Sequence, residues 1–226
     1  MKTLGMIGGT SWHATVEYYQ LLNSGVSEII GPDSNPPLIL HSINVQVMRR
    51  QDKDEIFAKY LDVSKKLQKA GADGIIICAN TPHMGFDHVQ PKIDIPILHI
   101  GEATGMEAKK KGLKKLGLLG TKPTMLGDFI PKVLRDQFTI ETIIPDEGDL
   151  DQTHDFISNE LTQGIFSKEA KAFYLQTIDS LQNKGAEGII LGCTELPILF
   201  KGITHELPLL ATTDLHVKMA VDFILS

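Results

Sequence analysis

The sequence has few cysteines and no long apolar run. Two cysteines in 226 residues do not make a disulfide framework, which is typical of proteins from a reducing compartment. No segment approaches the roughly 18 consecutive apolar residues that a membrane-spanning helix needs, and no apolar signal segment follows the first residues. We therefore expect a cytoplasmic protein with no membrane partner.

The sequence also lacks an excess of basic residues and the usual cofactor motifs. A net charge of −6 argues against a nucleic-acid partner. No His-x-x-x-His or Cys-x-x-Cys spacing is present, so we expect no metal site. The glycines of residues 5–9 fit neither a dinucleotide-binding fingerprint nor a phosphate-binding loop, so we expect no cofactor. The expected partner is a small-molecule substrate.

One pattern occurs twice in the chain. Gly-Ala-Asp-Gly-Ile-Ile-Ile-Cys-Ala at residues 71–79 matches Gly-Ala-Glu-Gly-Ile-Ile-Leu-Gly-Cys at residues 185–193. In the same order, residues 4–8 resemble residues 116–120, and residues 95–98 resemble residues 207–210. Two copies of one unit are therefore predicted. Ala79 occupies the position that Cys193 holds in the second copy.

Short apolar runs alternate with longer amphipathic stretches. The runs predict strands at residues 4–7, 38–41, 74–78, 97–100, 116–119, 141–144, 188–191 and 207–210. Helices are predicted at residues 15–30, 56–70, 104–111, 125–136, 151–161, 168–182 and 215–225. Continuously apolar strands alternating with helices indicate parallel sheets covered on both faces. The predicted fold is α/β, with two pseudo-symmetric Rossmann-like units, parallel sheets and a cleft between them. We expect the first unit to comprise residues 1–100 plus the C-terminal helix 214–226, and the second residues 101–213.

Three loops that follow predicted strands are candidates for a site, since active sites of parallel sheets lie at the carboxyl ends of strands. They are residues 8–11, 79–81 and 193–195. All three combine small residues, hydroxyl or amide side chains and backbone N–H groups. Such loops can bind a carboxylate or a phosphate.

Cys193 is the candidate for chemistry. A thiol at a strand end, beside a helix N-terminus, is predicted to ionise more readily than a free one. The alternative is a small buried core residue, but the position within Gly-Cys-Thr-Glu favours a reactive thiol. Cys78 is one residue out of register with it and should point into the core. His83 is predicted to order its loop by hydrogen bonding. Arg49 either binds a substrate carboxylate or lies in solvent, and the sequence leaves both open.

Together these residues resemble the aspartate/glutamate racemase family of cofactor-independent amino-acid racemases. The resemblance lies in the opening Gly-Met-Ile-Gly-Gly-Thr-Ser-Trp, in Asn80-Thr81-x-His83 and in Gly192-Cys193-Thr194-Glu195. It covers essentially the whole chain and is closest to the bacterial branch specific for L-aspartate and L-glutamate. The resemblance implies a homodimer and a reaction in which one group removes the α-proton while another returns a proton from the opposite side. It implies Cys193 as one acid/base and a set of substrate-binding residues: Gly9, Thr10, Ser11, Arg49, Asn80, Thr81, Thr194 and Glu195.

Ala79 departs from the family pattern. The first thiol of the usual member falls at this position, and a methyl group carries no transferable proton. In the similar L-specific branch a threonine stands here. Three alternatives therefore remain open: racemisation of a small acidic amino acid with help from water or a neighbouring group, decarboxylation or single-face protonation by one thiol, and binding of an acidic amino acid without turnover.

Overall fold

A computed structural model describes all 226 residues, and the chain divides into two compact units. Unit 1 comprises Met1–Ala103 and Thr213–Ser226, and unit 2 comprises Thr104–Thr212. None of the helices combines the length and the hydrophobicity needed to cross a bilayer.

Each unit contains one four-stranded parallel sheet. The strands of unit 1 are β1 (Leu4–Gly8), β2 (Leu38–Ser42), β3 (Gly74–Ile77) and β4 (Ile97–Leu98), in the order β2-β1-β3-β4. The strands of unit 2 are β5 (Lys115–Leu119), β6 (Glu141–Ile143), β7 (Gly188–Leu191) and β8 (Leu209–Ala211), in the order β6-β5-β7-β8. The two sheets therefore share one topology, and the predicted α/β fold with parallel sheets is confirmed.

Helices connect the strands. They are α1 (Trp12–Ile30), α2 (Gln46–Arg49), α3 (Lys53–Lys69), α4 (Phe86–Val89), α5 (Ile100–Lys110), α6 (Lys122–Met125), α7 (Phe129–Phe138), α8 (Glu147–Asn159), α9 (Lys168–Asn183), α10 (Glu195–Leu199) and α11 (Thr212–Leu225). Short 3₁₀ segments lie at Thr81–Gly85, Gln90–Lys92 and Leu161–Gln163. Glycines with positive φ follow α3, α5 and α9, namely Gly71, Gly112 and Gly185.

The duplication extends to single backbone hydrogen bonds. Directly after β3, the Cys78 amide donates to the Ile7 carbonyl at 3.0 Å. Directly after β7, the Gly192 amide donates to the Leu119 carbonyl at 2.7 Å. The next residue of each copy therefore leaves its sheet at an equivalent place.

The central strands of unit 1 are covered on both faces. One buried cluster joins Leu4, Met6 and Ile76 to α1 and α11. A second cluster joins Ile7 and Ile75 to α3. Because side chains alternate between the faces of a strand, this covering explains the continuously apolar sequences of β1 and β3. It leaves the ends of the strands as the places where a ligand can approach.

Several predicted elements were wrong in extent; the helices predicted from residues 104 and 151, for example, begin at Ile100 and Glu147. The strand predicted at residues 97–100 ends at Leu98, because the His99 side chain accepts a hydrogen bond from the Gly101 amide and α5 begins at Ile100. The strand predicted at residues 207–210 begins at Leu209, because Pro208 has no N–H to donate to a neighbouring strand. The helix predicted at residues 125–136 is interrupted around Gly127, which separates α6 from α7.

Candidate active site

The loop after β1 is held rigidly. Gly9 has φ +93°, and a Cβ atom there would lie 2.0 Å from the carbonyl oxygen of Ile43, so only glycine fits. The Gly9 amide donates to Thr15 Oγ1 at 3.0 Å, and this hydroxyl donates to the Ser11 carbonyl at 2.8 Å. Ser11 Oγ in turn accepts from the Ala14 amide and caps α1. These contacts constrain the backbone of the loop from Gly9 to Ser11.

Thr10 in this loop bonds to a residue that the sequence did not single out. Its Oγ1 lies 2.8 Å from the hydroxyl of Tyr60 on α3. Tyr60 is 2% exposed and shares the helical spacing of Ile56 and Val63, both of which are core residues. That spacing indicates only packing, so no signal in the sequence could have revealed the hydroxyl contact.

The loop after β3 contains Ala79, the position at which the chain departs from the family pattern. Ala79 is half-buried, and Asn80 is 7% exposed with its Oδ1 atom buried and without a hydrogen-bond partner. Thr81 begins a 3₁₀ turn. Nδ1 of His83 donates to the carbonyls of Ala79 at 3.0 Å and Asn80 at 3.1 Å. His83 therefore orders the loop by hydrogen bonding, as predicted.

His83 is kept neutral by its surroundings. Burial lowers its pKa to about 4. Its ring packs edge-on against His99 and His216, with centroid distances of 4.9 and 5.3 Å. His216 on α11 is buried as well, accepts from the Tyr18 hydroxyl at Nδ1 and donates from Nε2 to the Leu98 carbonyl. Hydrogen bonds and ring contacts thus connect α11 to the loop that carries Ala79.

Arg49 lies in the short helix α2 and not in an open loop. It is exposed and forms no salt bridge, whereas the neighbouring Arg50 pairs with Glu55 at 2.8 Å. The segment that leads to α2 is joined to the end of β1, because the Ile43 amide donates to the Gly8 carbonyl. An unpaired guanidinium is therefore carried by a segment that begins at the same sheet edge as the Gly9 loop.

In unit 2, Cys193 follows β7 at the position equivalent to Ala79. It is half-buried, and its thiol donates to Glu195 Oε2 at 2.9 Å. The Thr194 hydroxyl donates to the same carboxylate oxygen at 2.7 Å. The three polar side chains of this loop therefore form one compact hydrogen-bonded group.

The prediction that Cys193 ionises more readily than a free thiol was wrong. Burial raises the pKa of Cys193 well above its ordinary value, and the negative charge and hydrogen bond of Glu195 raise it further. The helix that follows has only five residues, Glu195–Leu199, and its first turn carries the Glu195 carboxylate. Any favourable effect of the helix N-terminus is outweighed, and the thiol is protonated at neutral pH.

Cys78 lies in the core, as predicted from its position one residue out of register with Cys193. It is 1% exposed and belongs to the apolar cluster beneath α1 and α11. Burial raises the pKa of this thiol strongly. Cys78 is therefore a core residue and a poor source or acceptor of protons.

The predicted site residues form one group in each unit. Gly9, Thr10, Ser11, Ala79, Asn80 and Thr81 lie at the carboxyl ends of the neighbouring strands β1 and β3 in unit 1. Cys193, Thr194 and Glu195 form the second group in unit 2. No cluster of three or more His, Cys, Asp or Glu side chains is arranged to hold a metal ion.

Comparison with known proteins assigns the family. Residues 7–220 match the Asp/Glu/hydantoin racemase family. The broad-specificity amino-acid racemase RacX of Bacillus subtilis (strain 168) is 29% identical over 170 residues, which are 75% of this chain and 73% of RacX. A solved structure from Yersinia pestis, provisionally assigned as an Asp/Glu racemase, is 34% identical, covers 100% of both chains and superposes with a TM-score of 0.94. An aspartate racemase homologue from Pyrococcus horikoshii OT3 is 30% identical over 100% of both chains, with a TM-score of 0.87. The predicted enzyme class is confirmed, and the chain belongs to the Asp/Glu/hydantoin racemase family of amino-acid racemases.

Proposed function

We propose that this protein inverts the α-carbon of a small acidic amino acid, aspartate or glutamate, by proton transfer without a cofactor, with Cys193 as an acid/base. The observation that carries the proposal is the half-buried Cys193 thiol, which is hydrogen-bonded to Glu195 at the carboxyl end of β7. A thiol in direct contact with a carboxylate has an acceptor for its own proton. It can therefore alternate between the acid and base forms that such a reaction requires.

This contact determines which group holds the proton at each step of the proposed reaction. In the resting state the proton is on sulfur and Glu195 is the hydrogen-bond acceptor. Transfer of that proton to Glu195 produces a thiolate, which then removes the α-proton of the substrate. In the opposite direction the Cys193 thiol donates its proton to the planar carbanion. We propose Glu195 as the proton partner of Cys193, in addition to the substrate-binding role that the family resemblance implies.

The carbanion intermediate needs hydrogen-bond donors at the α-carboxylate, because the α-proton of an amino acid is very weakly acidic. We propose that the loop of Gly9, Thr10 and Ser11 binds this carboxylate together with Thr81 and Thr194. Arg49, which has no salt-bridge partner, is proposed for the side-chain carboxylate.

Asn80 is proposed for the α-ammonium group. Its Oδ1 atom is buried and lacks a donor, and an unpaired buried acceptor is destabilising. The N–H groups of a bound amino acid would satisfy it. This contact is a specific form of the substrate-binding role that the family resemblance implies for Asn80.

The reaction needs a second group that carries a proton on the opposite side of the α-carbon. Ala79 occupies the position equivalent to Cys193, and its methyl group cannot fill this role. Cys78 is a poor substitute because it is buried in the apolar core and burial raises its pKa. We propose a water molecule or the Thr81 hydroxyl as the second proton carrier. The expected consequence is slow and unequal turnover of the two enantiomers.

We also propose a homodimer built from chains of two domains, residues 1–100 with 214–226 and residues 101–213. Three large apolar side chains of α1, Trp12, Val16 and Tyr19, are 65, 47 and 51% exposed at helical spacing, which favours a surface that a second copy covers. Analytical ultracentrifugation tests this proposal, and a monomer at micromolar concentration would contradict it.

Chiral chromatography tests the proposed reaction. Each enantiomer of aspartate, glutamate, alanine and lysine is incubated with the wild-type protein and with Cys193→Ala. We expect racemisation of aspartate or glutamate by the wild type only. Racemisation of alanine or lysine alone would contradict the acidic substrate, and equal rates for the two proteins would contradict the role of Cys193.

The single thiol supports a second candidate, an enzyme that releases CO₂ from a substituted malonate and protonates one face of the product. Ala79 favours it because such a reaction needs only one proton donor. The measurement is release of CO₂ from 2-methyl-2-phenylmalonate, whose product, 2-phenylpropionate, is chiral. Stoichiometric CO₂ with a single product enantiomer, and no racemisation of amino acids, would favour this candidate over the racemase.

A further inference from the structure

Tyr60 has a buried polar atom with a single partner. The ring packs among Ile7, Ile43 and Val63 in the core beneath α3, and its hydroxyl lies 2.8 Å from Thr10 Oγ1. A buried phenolic hydroxyl requires a hydrogen-bond partner. Thr10 is the only hydrogen-bond partner of the Tyr60 hydroxyl in the structure.

The direction of this hydrogen bond follows from that restriction. If Thr10 donated to Tyr60, the hydrogen of the phenol would be buried without an acceptor, at a free-energy cost. If Tyr60 donates to Thr10, both needs are met, and the hydrogen of Thr10 is directed away from the core. Thr10 is half-buried, whereas Tyr60 is 2% exposed, so Thr10 is the member of the pair that an external ligand can reach.

The loop around Thr10 cannot readily adjust. Gly9 packs its backbone against Ile43 so closely that a Cβ atom would lie 2.0 Å from the Ile43 carbonyl oxygen. The Gly9 amide and the Ser11 carbonyl are both bonded to Thr15 Oγ1. The backbone therefore fixes the position of Thr10, and Tyr60 fixes the direction in which the Thr10 hydroxyl donates its hydrogen bond.

We propose that Tyr60 is a positioning residue that orients the Thr10 hydroxyl as a hydrogen-bond donor to a carboxylate of the substrate. The inference rests on the proposed function, which places an amino-acid carboxylate at this loop. Donors that are oriented before binding raise affinity because less freedom is lost when the ligand arrives. Tyr60 itself touches no substrate in this proposal.

The test is a comparison of Tyr60→Phe with Tyr174→Phe. Tyr174 is a matched control because it is fully buried and its hydroxyl donates to the Thr153 carbonyl at 2.8 Å in unit 2. Both substitutions delete one buried hydroxyl and keep the ring. We expect Tyr60→Phe to raise KM for the amino acid that the wild type racemises fastest by about three- to tenfold, with kcat within about twofold. Tyr174→Phe should leave KM unchanged, and kcat is compared only for Tyr60→Phe because Tyr174 lies in the buried cluster against which Cys193 packs.

A double variant separates positioning from general loosening of the fold. Thr10→Val should raise KM by about ten- to a hundredfold, since a hydrogen bond to a charged group is lost. Adding Tyr60→Phe to Thr10→Val should change KM no further, because the two residues act through one hydroxyl. Multiplicative effects on KM would overturn the proposal, as would an unchanged KM in Tyr60→Phe while the wild type racemises normally.

Binding measurements distinguish failure of this inference from failure of the proposed function. Isothermal titration of the wild type with each amino acid of the panel detects binding without turnover. If one binds without turnover, the same four variants are compared by Kd, with the same expected ratios. If none binds and none is racemised, both the proposed function and this inference are contradicted.

Discussion

At the residue scale, the decisive contact is the one between Cys193 and Glu195. The carboxylate accepts the thiol proton at 2.9 Å and, together with burial, raises the pKa of the thiol. A free thiol in solution has no such partner. The chemistry proposed for Cys193 therefore depends on a neighbour two residues away, within the same loop.

Removing the Glu195 charge should ease ionisation of the thiol. We expect Glu195→Gln to lower the pKa of Cys193, because an adjacent negative charge and its hydrogen bond favour the protonated form. Thiolate absorbance near 240 nm, followed against pH in a Cys78→Ala background, measures the change. Glu206→Gln, at an exposed position, is the control. An unchanged or raised pKa in Glu195→Gln would contradict the assignment.

Restoring the missing thiol should restore symmetry to the reaction. Ala79 and Cys193 follow equivalent backbone hydrogen bonds, so Ala79→Cys places a second thiol at the matching position. We expect racemisation in both directions to rise by at least about tenfold, within the usual contribution of a positioned acid or base. The D-to-L and L-to-D rates are measured by chiral chromatography, with Ala79→Val as the control for added volume. No increase would show that a missing thiol does not limit turnover.

At the element scale, the β1–α1 loop depends on a glycine that no other residue can replace. Gly9 has φ +93° and lies against the Ile43 backbone, so Gly9→Ala must displace the loop or strain it. We expect the free energy of unfolding to fall by more than about 2 kcal/mol. Gly148→Ala in α8 has open space around it and should instead stabilise the protein by up to about 1 kcal/mol. Urea unfolding measures both, and equal effects would contradict this account of the loop.

Several elements could be predicted from the sequence, and the reasons for success and failure are local. The strand at residues 188–191 was predicted with its observed bounds because an apolar run is enclosed by glycines. The end of β4 was missed because a side chain, His99, caps the following helix. Neither apolar periodicity nor strand propensity contains that information.

The candidate site could be predicted only in part, for a related reason. Residues 79–81 and 193–195 followed from the repeated pattern and the rule for strand ends. The contact between Thr10 and Tyr60 joins positions 50 residues apart, and the burial that raises the pKa of Cys193 is a tertiary effect. Such contacts exist only once the chain has folded.

At the scale of the whole molecule, two buried histidines make the stability of the protein sensitive to acid. Burial lowers the pKa of His83 to about 4 and of His216 to about 3, against an ordinary value of 6.5. The unfolded chain therefore takes up protons as the pH falls below 6.5, while the folded protein does not. The stability that the two neutral side chains contribute is complete above pH 6.5. It is lost as the pH falls towards 4 for His83 and 3 for His216, by on the order of 3 kcal/mol for His83 and about 5 kcal/mol for His216.

Unfolding in urea between pH 7.5 and pH 4.5 measures this loss. The free energy of unfolding of the wild type should fall steadily below pH 6.5. His216→Gln should be less stable at pH 7.5 and should lose stability more slowly with acid, because one titrating group is gone. His13→Gln, at an exposed position, is the control. Equal slopes for the wild type and His216→Gln would contradict the prediction.

The duplication is the property of the whole molecule that bears most on function. Both sheets have the same strand order, and the loops after β3 and β7 occupy equivalent positions. Yet one loop carries a thiol with a carboxylate partner, and the other carries a methyl group. The two copies share a scaffold and differ in the chemistry that each supplies.

Proton NMR in deuterium oxide tests the central claim, that Cys193 exchanges the α-proton of an acidic amino acid. L-aspartate and L-glutamate are incubated with the wild type, with Cys193→Ala and with Cys78→Ala, and the α-proton signal is followed over time. We predict its loss with the wild type and with Cys78→Ala, and a rate at least about a hundredfold lower with Cys193→Ala. Exchange at the wild-type rate in Cys193→Ala, or no exchange of either substrate by the wild type, would contradict the account.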